Sequence, residues 1–279
     1  MRIARVFPRK TNMSPTDEDC YFGPPHLWTP KYDQVHISVC FTWDVPKIWP
    51  LVGSWHKHTK KIRIGGPALG SRANGFKVGL YLKPGVTITS RGCPYNCPWC
   101  FVPDREGKIR ELPVQPGHIV QDNNLLACSK EHISKVFEML RTQKGIKFSG
   151  GLQARRITDS VVQQLRTLRV AEIWVSYDHP NQYRATQTAV EKLRRYFRRD
   201  QVRCYVLIGF ENDTLQKAEN RLREAWEMGT LPFAMRYRTA EPKWQGTYFY
   251  SDREWNLLTR RWSRPAIIKS SMKAKWLIA

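Results

Sequence analysis

From about residue 85 to residue 237, short apolar, β-branched runs alternate with capped amphipathic segments, and this alternation restricts the chain to an α/β fold with a parallel sheet. Residues 86–90, 118–122, 145–149, 171–177, 202–209 and 232–237 read as six strands. Between them, Ser129 caps a helix running to Thr142 that carries Ile133, Val136, Phe137 and Leu140 on one face. Thr158 caps a second, with Val161, Val162, Leu165 and Leu168 inward. Tyr183 to Arg199 reads as a basic helix, and Asp213 to Met228 as another after an Asp-Thr cap. The stretch Lys108 to Gly117 holds two prolines and a glycine, and is too short and broken for a full helix. Ahead of this block, Gln34 to Phe41 and Lys61 to Pro67 read as strands around a helix from Val45 to His56, a βαβ unit. Three regions follow: a small α/β unit over 1–84, the main repeat over 85–240, and a C-terminal extension over 241–279.

Lys and Arg number 46 against 24 Asp and Glu, a net charge of +22. That excess favours a polyanionic or phosphorylated partner. Residues 191–203 carry six basic side chains, and residues 252–279 carry seven against two acids. Trp244, Trp255, Trp262 and Trp276 fall in the basic C-terminal part, where aromatics among cations can stack bases while neutralising phosphates. A solvated helix face with tryptophans packing the tail onto the core accounts for the same pattern. The N-terminus has no apolar signal region, and no apolar run approaches the roughly 18 residues that span a bilayer. Seven cysteines, an odd number, argue against a disulfide framework and for a reducing compartment. The expectation is a cytoplasmic protein with no membrane role.

Three of those cysteines form the most informative motif. Gly92-Cys93-Pro94-Tyr95-Asn96-Cys97-Pro98-Trp99-Cys100 spaces its thiols Cys-xxx-Cys-xx-Cys directly after the first strand of the repeat. Clustered thiolates on such a loop are a ligand set for iron–sulfur or zinc, because deprotonated sulfur holds these soft metals. A closed structural site takes four protein ligands, so three leave a coordination position for chemistry. A zinc knuckle closed by His118, or a redox pair Cys97-Pro98-Trp99-Cys100, would each use part of the motif. Neither explains the third cysteine at its offset.

The loop resembles the signature of the radical S-adenosylmethionine (SAM) superfamily, and Pro94, Pro98 and Phe101-Val102-Pro103 are similar to that family as well. The resemblance implies that Cys93, Cys97 and Cys100 hold three irons of a 4Fe–4S cluster, and that the fourth iron takes the amine and carboxylate of SAM. Trp99, beside the third cysteine, would pack near the adenine, with Phe101 close to the same cofactor. The implied fold is a partial (β/α)6 TIM-like barrel. The implied chemistry begins with a one-electron reductant such as a flavodoxin or ferredoxin. The electron splits the SAM sulfonium into methionine and a 5′-deoxyadenosyl radical, which takes hydrogen from substrate.

In parallel α/β folds the chemistry gathers at the carboxyl ends of strands, which nominates further residues. Asp122, Asn123 and Asn124 follow the second strand, where the resemblance implies a SAM amino-group site. The family's common Gly-Gly-Glu is missing there, and Gly150-Gly151 after the third strand, followed by Leu152-Gln153, is the rival. Ser176 and Asp178 after the fourth strand suit the ribose hydroxyls. Ile208-Gly209 on the fifth resembles the family's adenine-binding stretch. Arg155 after the third strand and Arg236 on the sixth would form an anion-binding wall if both point inward, since guanidinium forks suit phosphate and carboxylate. Tyr177 and Tyr237 are candidate radical relays.

The N-terminal unit resembles a trimmed cobalamin-binding domain, with Ile64-Gly65-Gly66-Pro67 as the closest echo. The Asp-x-His-x-x-Gly segment that supplies a cobalt ligand in many such domains is missing, so no cobalamin is expected. The expected function is a radical SAM enzyme acting on an anionic substrate, with RNA, DNA or a nucleotide-derived compound as candidates. A small phosphorylated or carboxylated metabolite is the alternative substrate. A zinc-containing, non-catalytic nucleic-acid-binding protein is the alternative class.

Overall fold

The computed structural model describes residues 1–71, 76–238 and 251–276, the side chains of 273–276 excepted. Strands β1 (Ile3–Phe7), β2 (Cys20–Phe22), β3 (Gln34–Ser38) and β4 (Ile62–Gly65) make one all-parallel sheet in the order β2-β1-β3-β4. Helix α1 (Ile48–Trp55) packs on it, and Trp55 anchors a hydrophobic core with Val6, Val35, Ile37 and Leu51. The expected βαβ unit is present as β3, α1 and β4, but two further strands precede it. Strand β1 is hard to read because Arg5 interrupts its apolar run. Its guanidinium is buried, yet it donates to the Gly79 and Leu80 carbonyls (3.1 and 3.0 Å) and pairs with Asp17. Those bonds remove the penalty that would otherwise bar a cation from that position. The helix also starts later than Val45, because Pro46 keeps residues 42–47 in a 3-10 turn.

The second sheet comprises β5 (Val86–Thr87), β8 (Ile119–Val120), β9 (Ile146–Phe148), β10 (Val170–Ser176), β11 (Val202–Ile208) and β12 (Leu231–Arg236). Its order is β12-β11-β10-β9-β8-β5, all parallel and sequential, the product of repeated β-to-α crossovers. Between β5 and β8 the chain makes an excursion. A two-stranded antiparallel ribbon, β6 (Ser90–Arg91) with β7 (Arg110–Glu111), closes its base, and the short helix α2 (Val102–Glu106) lies within it. All six strands of the sequence reading are present. The first is shorter than expected, because after Thr87 the chain leaves the sheet for this ribbon.

Helices α3 (Lys130–Arg141), α4 (Asp159–Arg166), α5 (Tyr183–Arg194) and α6 (Leu215–Glu227) cover one face. Ser129, Thr158 and Thr214 cap the first, second and fourth, each accepting a backbone N–H three residues on. Helix α5 ends at Arg194, five residues earlier than expected. Val136, Phe137, Leu140, Leu165, Val190, Leu193 and Leu222 meet Ile146, Phe148, Ile173, Val175 and Val206 in one core.

The C-terminal helices α7 (Asp252–Trp262) and α8 (Pro265–Trp276) belong to that same core. Helix α7 packs on β12 and α6, and the Trp255 ring lies 3.7 Å from where a Cβ on Gly209 would stand. The idea that this extension offers tryptophans to nucleic-acid bases is therefore corrected for Trp255 and Trp262. Each is 2% exposed, so apolar burial has claimed both faces. Trp244 and the Trp276 side chain lie outside the described residues. Replacing Trp255 by alanine should lower the unfolding free energy by about 3–5 kcal/mol, the usual cost of emptying such a site. Urea denaturation checks this, and a loss under about 1 kcal/mol would mean that α7 is not part of the core.

Candidate cluster-binding site

The cysteine loop leaves the carboxyl end of β5, at the edge of the sheet where the strand-to-helix turns converge. Its root is fixed by the turn after β8. Asp122 is 2% exposed and its carboxylate accepts from the Thr89 N–H (2.6 Å), the Thr89 hydroxyl and the Ser90 hydroxyl (2.9 Å). Asn123 Oδ1 accepts from the Gly92 N–H at 3.0 Å, and Arg91 donates to the Gln121 carbonyl at 2.9 Å. Gly92, at φ +88°, passes so close to Lys108 that a Cβ would lie 2.1 Å from its carbonyl oxygen, so only glycine closes the ribbon there. Glu106, nearly buried, pairs with Arg110 at 3.2 Å and ties α2 to β7.

The Asp122 carboxylate is turned back onto the first strand and holds three donors, so it fixes the root of the cysteine loop. The rival glycines are also explained structurally. A Cβ on Gly150 would stand 2.0 Å from the Asp122 carbonyl oxygen, so Gly150 is required for the third strand's turn to pass the second. Asn124 is the polar residue that reaches the cysteines: Nδ2 lies 3.4 Å from Cys93 Sγ and 3.3 Å from Gln153 Oε1. Its Oδ1 is buried with no donor facing it. Gln153 also hydrogen-bonds with Tyr95 and, with Arg156, draws the Tyr95 hydroxyl below its ordinary range. The sequence singles out Gln153 only as part of the rival Gly150-Gly151 turn and does not mark its contacts with Asn124 and Tyr95.

All seven cysteines are free. Among the described residues, no three His, Cys, Asp or Glu side chains are close enough together to hold one metal ion. The three loop sulfurs are nevertheless near enough to act on one another. Burial first, then the neighbouring Cys100 and Cys93 sulfurs, push the Cys97 thiol up, and burial does the same to Cys100. Burial and the neighbouring sulfurs favour the neutral thiols of Cys97 and Cys100, so ionising them together requires a compensating cation. His118 is not a closing ligand. Its ring packs against Gly85, before the start of β5 and therefore beyond the opposite end of the strand from Cys93.

Aromatic side chains form the rim of the site. Trp99 lies parallel to His179 (6.1 Å, 11°) and edge-on to Phe210 (5.9 Å). Phe210 meets Tyr237 edge-on at 4.8 Å, and Tyr237 lies parallel to Phe101 at 6.1 Å. His179, Phe210 and Tyr237 follow β10, β11 and β12, and Trp99 and Phe101 flank the third cysteine, so the rim joins three strand ends to the loop. Phe101 keeps half of its surface exposed. Asp178 accepts from the Leu207 N–H at 3.0 Å and is hydrogen-bonded also with Ser176 and Trp99. Burial raises its carboxyl to about 6, against the lowering effect of the Leu207 N–H and of Arg221. The Gly209 turn is held by Asp213, which accepts its N–H at 2.8 Å and pairs with Arg221 at 2.7 Å. Ile208 is fully buried.

Three expected participants stand elsewhere. Tyr177 is 1% exposed and donates to Glu224 at 2.6 Å, because strand alternation sends it into the helix layer with Ile173 and Val175. It is not at the rim. Arg236 is bound to Asp252 and to Asn256 (2.9 Å) on α7. Arg155 lines a cleft against α5. The two arginines therefore form no common wall. Arg238 instead lies over the Trp43 ring of the N-terminal unit at 5.3 Å, and Trp43 stacks on Phe41 at 4.7 Å. Comparison with protein-family profiles and with curated proteins finds no match for this chain.

Truncating Asp122 to alanine would strand the buried Thr89 N–H and two hydroxyls. The expected loss is about 2–4 kcal/mol, with asparagine, which keeps one acceptor, losing less. Chemical denaturation of both variants checks this, and equal stability of wild type and alanine variant would contradict the account of the loop root.

Proposed function

We propose that the chain is a radical SAM enzyme, and that its six-stranded sheet is the wall of a partial (β/α)6 barrel. The observation that carries this reading is the position of the Cys93-xxx-Cys97-xx-Cys100 loop. It leaves the first strand of a sequential parallel sheet at the carboxyl edge, with its Trp99 packed on the turns after the fourth and fifth strands. When bound, a 4Fe–4S cluster and SAM supply one-electron cleavage of the sulfonium and a 5′-deoxyadenosyl radical.

The chain's own residues have four tasks. Cys93, Cys97 and Cys100 would hold the cluster through their thiolates. Asn124 Oδ1, buried and lacking a donor, would accept from the SAM amine, with Gln153 setting the amide's orientation. Trp99, His179 and Phe210 flank the adenine, and Asp178 and Ser176 lie near enough to Trp99 to take the ribose hydroxyls. Phe101 and Tyr237 cover the mouth and limit water near the reacting carbon. Asp44 neutralises Arg9 (2.6 Å), and Arg238, over Trp43, adds a cation at the junction with the N-terminal unit. The net charge of +22 favours an anionic substrate. A flavodoxin- or ferredoxin-type donor delivers the electron in a reducing, cytoplasmic setting. Among the described residues no helix is long and apolar enough to cross a membrane.

Anaerobically reconstituted protein, reduced with SAM present, should form 5′-deoxyadenosine and methionine, detected by mass spectrometry. Cys97→Ala should form neither. Asn124→Ala should keep the cluster but raise the SAM concentration needed for half-maximal turnover about tenfold, the effect of losing a hydrogen bond worth about 1.4 kcal/mol. Zinc binding without iron or sulfide would contradict the reading and favour the non-catalytic alternative.

A further inference from the structure

Arg155 and its surroundings define a second site. A cleft of about 390 Å³ lies between the 3-10 turn Ala154–Arg156 and helix α5. Arg155, Arg184 and Lys192 line it, with the hydroxyls of Thr158 and Thr188 and a floor that includes the buried Ala189. Lys192 pairs with Asp159 at 3.2 Å, but that carboxylate is 71% exposed, so the pair holds the ammonium weakly. Neither arginine has an acidic partner among the described residues. Such a set of cations and hydroxyl donors is built for phosphate oxygens.

The spacing separates a polymer from a small phosphate. Arg184 and Lys192 stand on one face of α5 two turns apart, about 12 Å along its axis, farther than one phosphate group reaches. The next residue of the turn, Arg156, bonds to the Leu126 carbonyl at 3.3 Å and to Tyr95, so the turn that carries Arg155 also touches the cysteine loop. We propose that it binds the phosphodiester backbone of a single-stranded nucleic acid and leads the strand to the aromatic rim. That the bound strand is also the substrate rests on the radical SAM reading; the binding does not.

The test is fluorescence anisotropy of a labelled, unstructured oligouridylate with reconstituted full-length protein over a salt series. It is run without SAM or reductant, so the outcome is independent of any radical chemistry. Arg155→Gln/Arg184→Gln should weaken binding and lower the magnitude of the log K against log[salt] slope by roughly 1.4, about 0.7 for each phosphate left without its cation. Arg253→Gln/Arg260→Gln, which removes the same charge from the exposed face of α7, should leave the slope as in wild type. Equal slopes for wild type and the cleft variant would overturn the proposal, as would equal effects of the two double variants. So would a cleft that binds inorganic phosphate or uridine monophosphate through these arginines while oligomer binding is unaffected by their removal.

Discussion

One buried carboxylate fixes the geometry on which everything else depends. Asp122 stands at the end of the second strand and accepts three hydrogen bonds from Thr89 and Ser90, where the first strand gives way to the cysteine loop. A charged acceptor in a low-dielectric setting makes each of those bonds strong, and leaves a large penalty if any is broken. The loop is long and proline-rich and has little secondary structure of its own. Its position relative to the sheet is set by this clasp, by Asn123 on Gly92, and by the close passage of Gly150 behind Asp122. Three strand ends are thereby coupled at one point, and the cysteines stand over it.

The same arrangement explains what could be read from the sequence. The six strands and the caps at Ser129, Thr158 and Thr214 were legible because apolar period and capping chemistry are local. The cysteine motif was legible because its spacing is rigid. Side-chain direction at the strand ends was not. Asp122 sits where a ligand contact would be expected, but its carboxylate turns back to the neighbouring strand, a choice that depends on Thr89 and Ser90, far back in the sequence. Tyr177 fell on the helix side through the phase of alternation. Strand β1 was hidden by Arg5, whose partners Asp17, Gly79 and Leu80 are distant in sequence. Phe210 belongs to no motif, and only the packing of several turns together brings it, and the Gln153 amide, to the site.

Charge divides in an instructive way. Several basic side chains are tied to carboxylates within the fold, Arg5 with Asp17, Arg9 with Asp44, Arg221 with Asp213 and Arg236 with Asp252, while 46 basic against 24 acidic residues leave an excess of 22. The buried tryptophans of α7 serve the core. Arg155 and Arg184, with no carboxylate partner among the described residues, share one cleft with Lys192, and Arg238 lies over Trp43. A net charge of +22 therefore carries less information than the location of the arginines that lack carboxylate partners among the described residues.

The central claim is that three thiolates hold a cluster with one iron open to SAM. Electron paramagnetic resonance of the reduced, reconstituted protein with and without SAM tests it most directly, because ligation at the open iron changes the cluster's spectrum while a distant ligand does not. A change of the g-values on adding SAM, absent when buffer alone is added, is the predicted result. An iron–sulfur signal that is identical with and without saturating SAM would contradict the account.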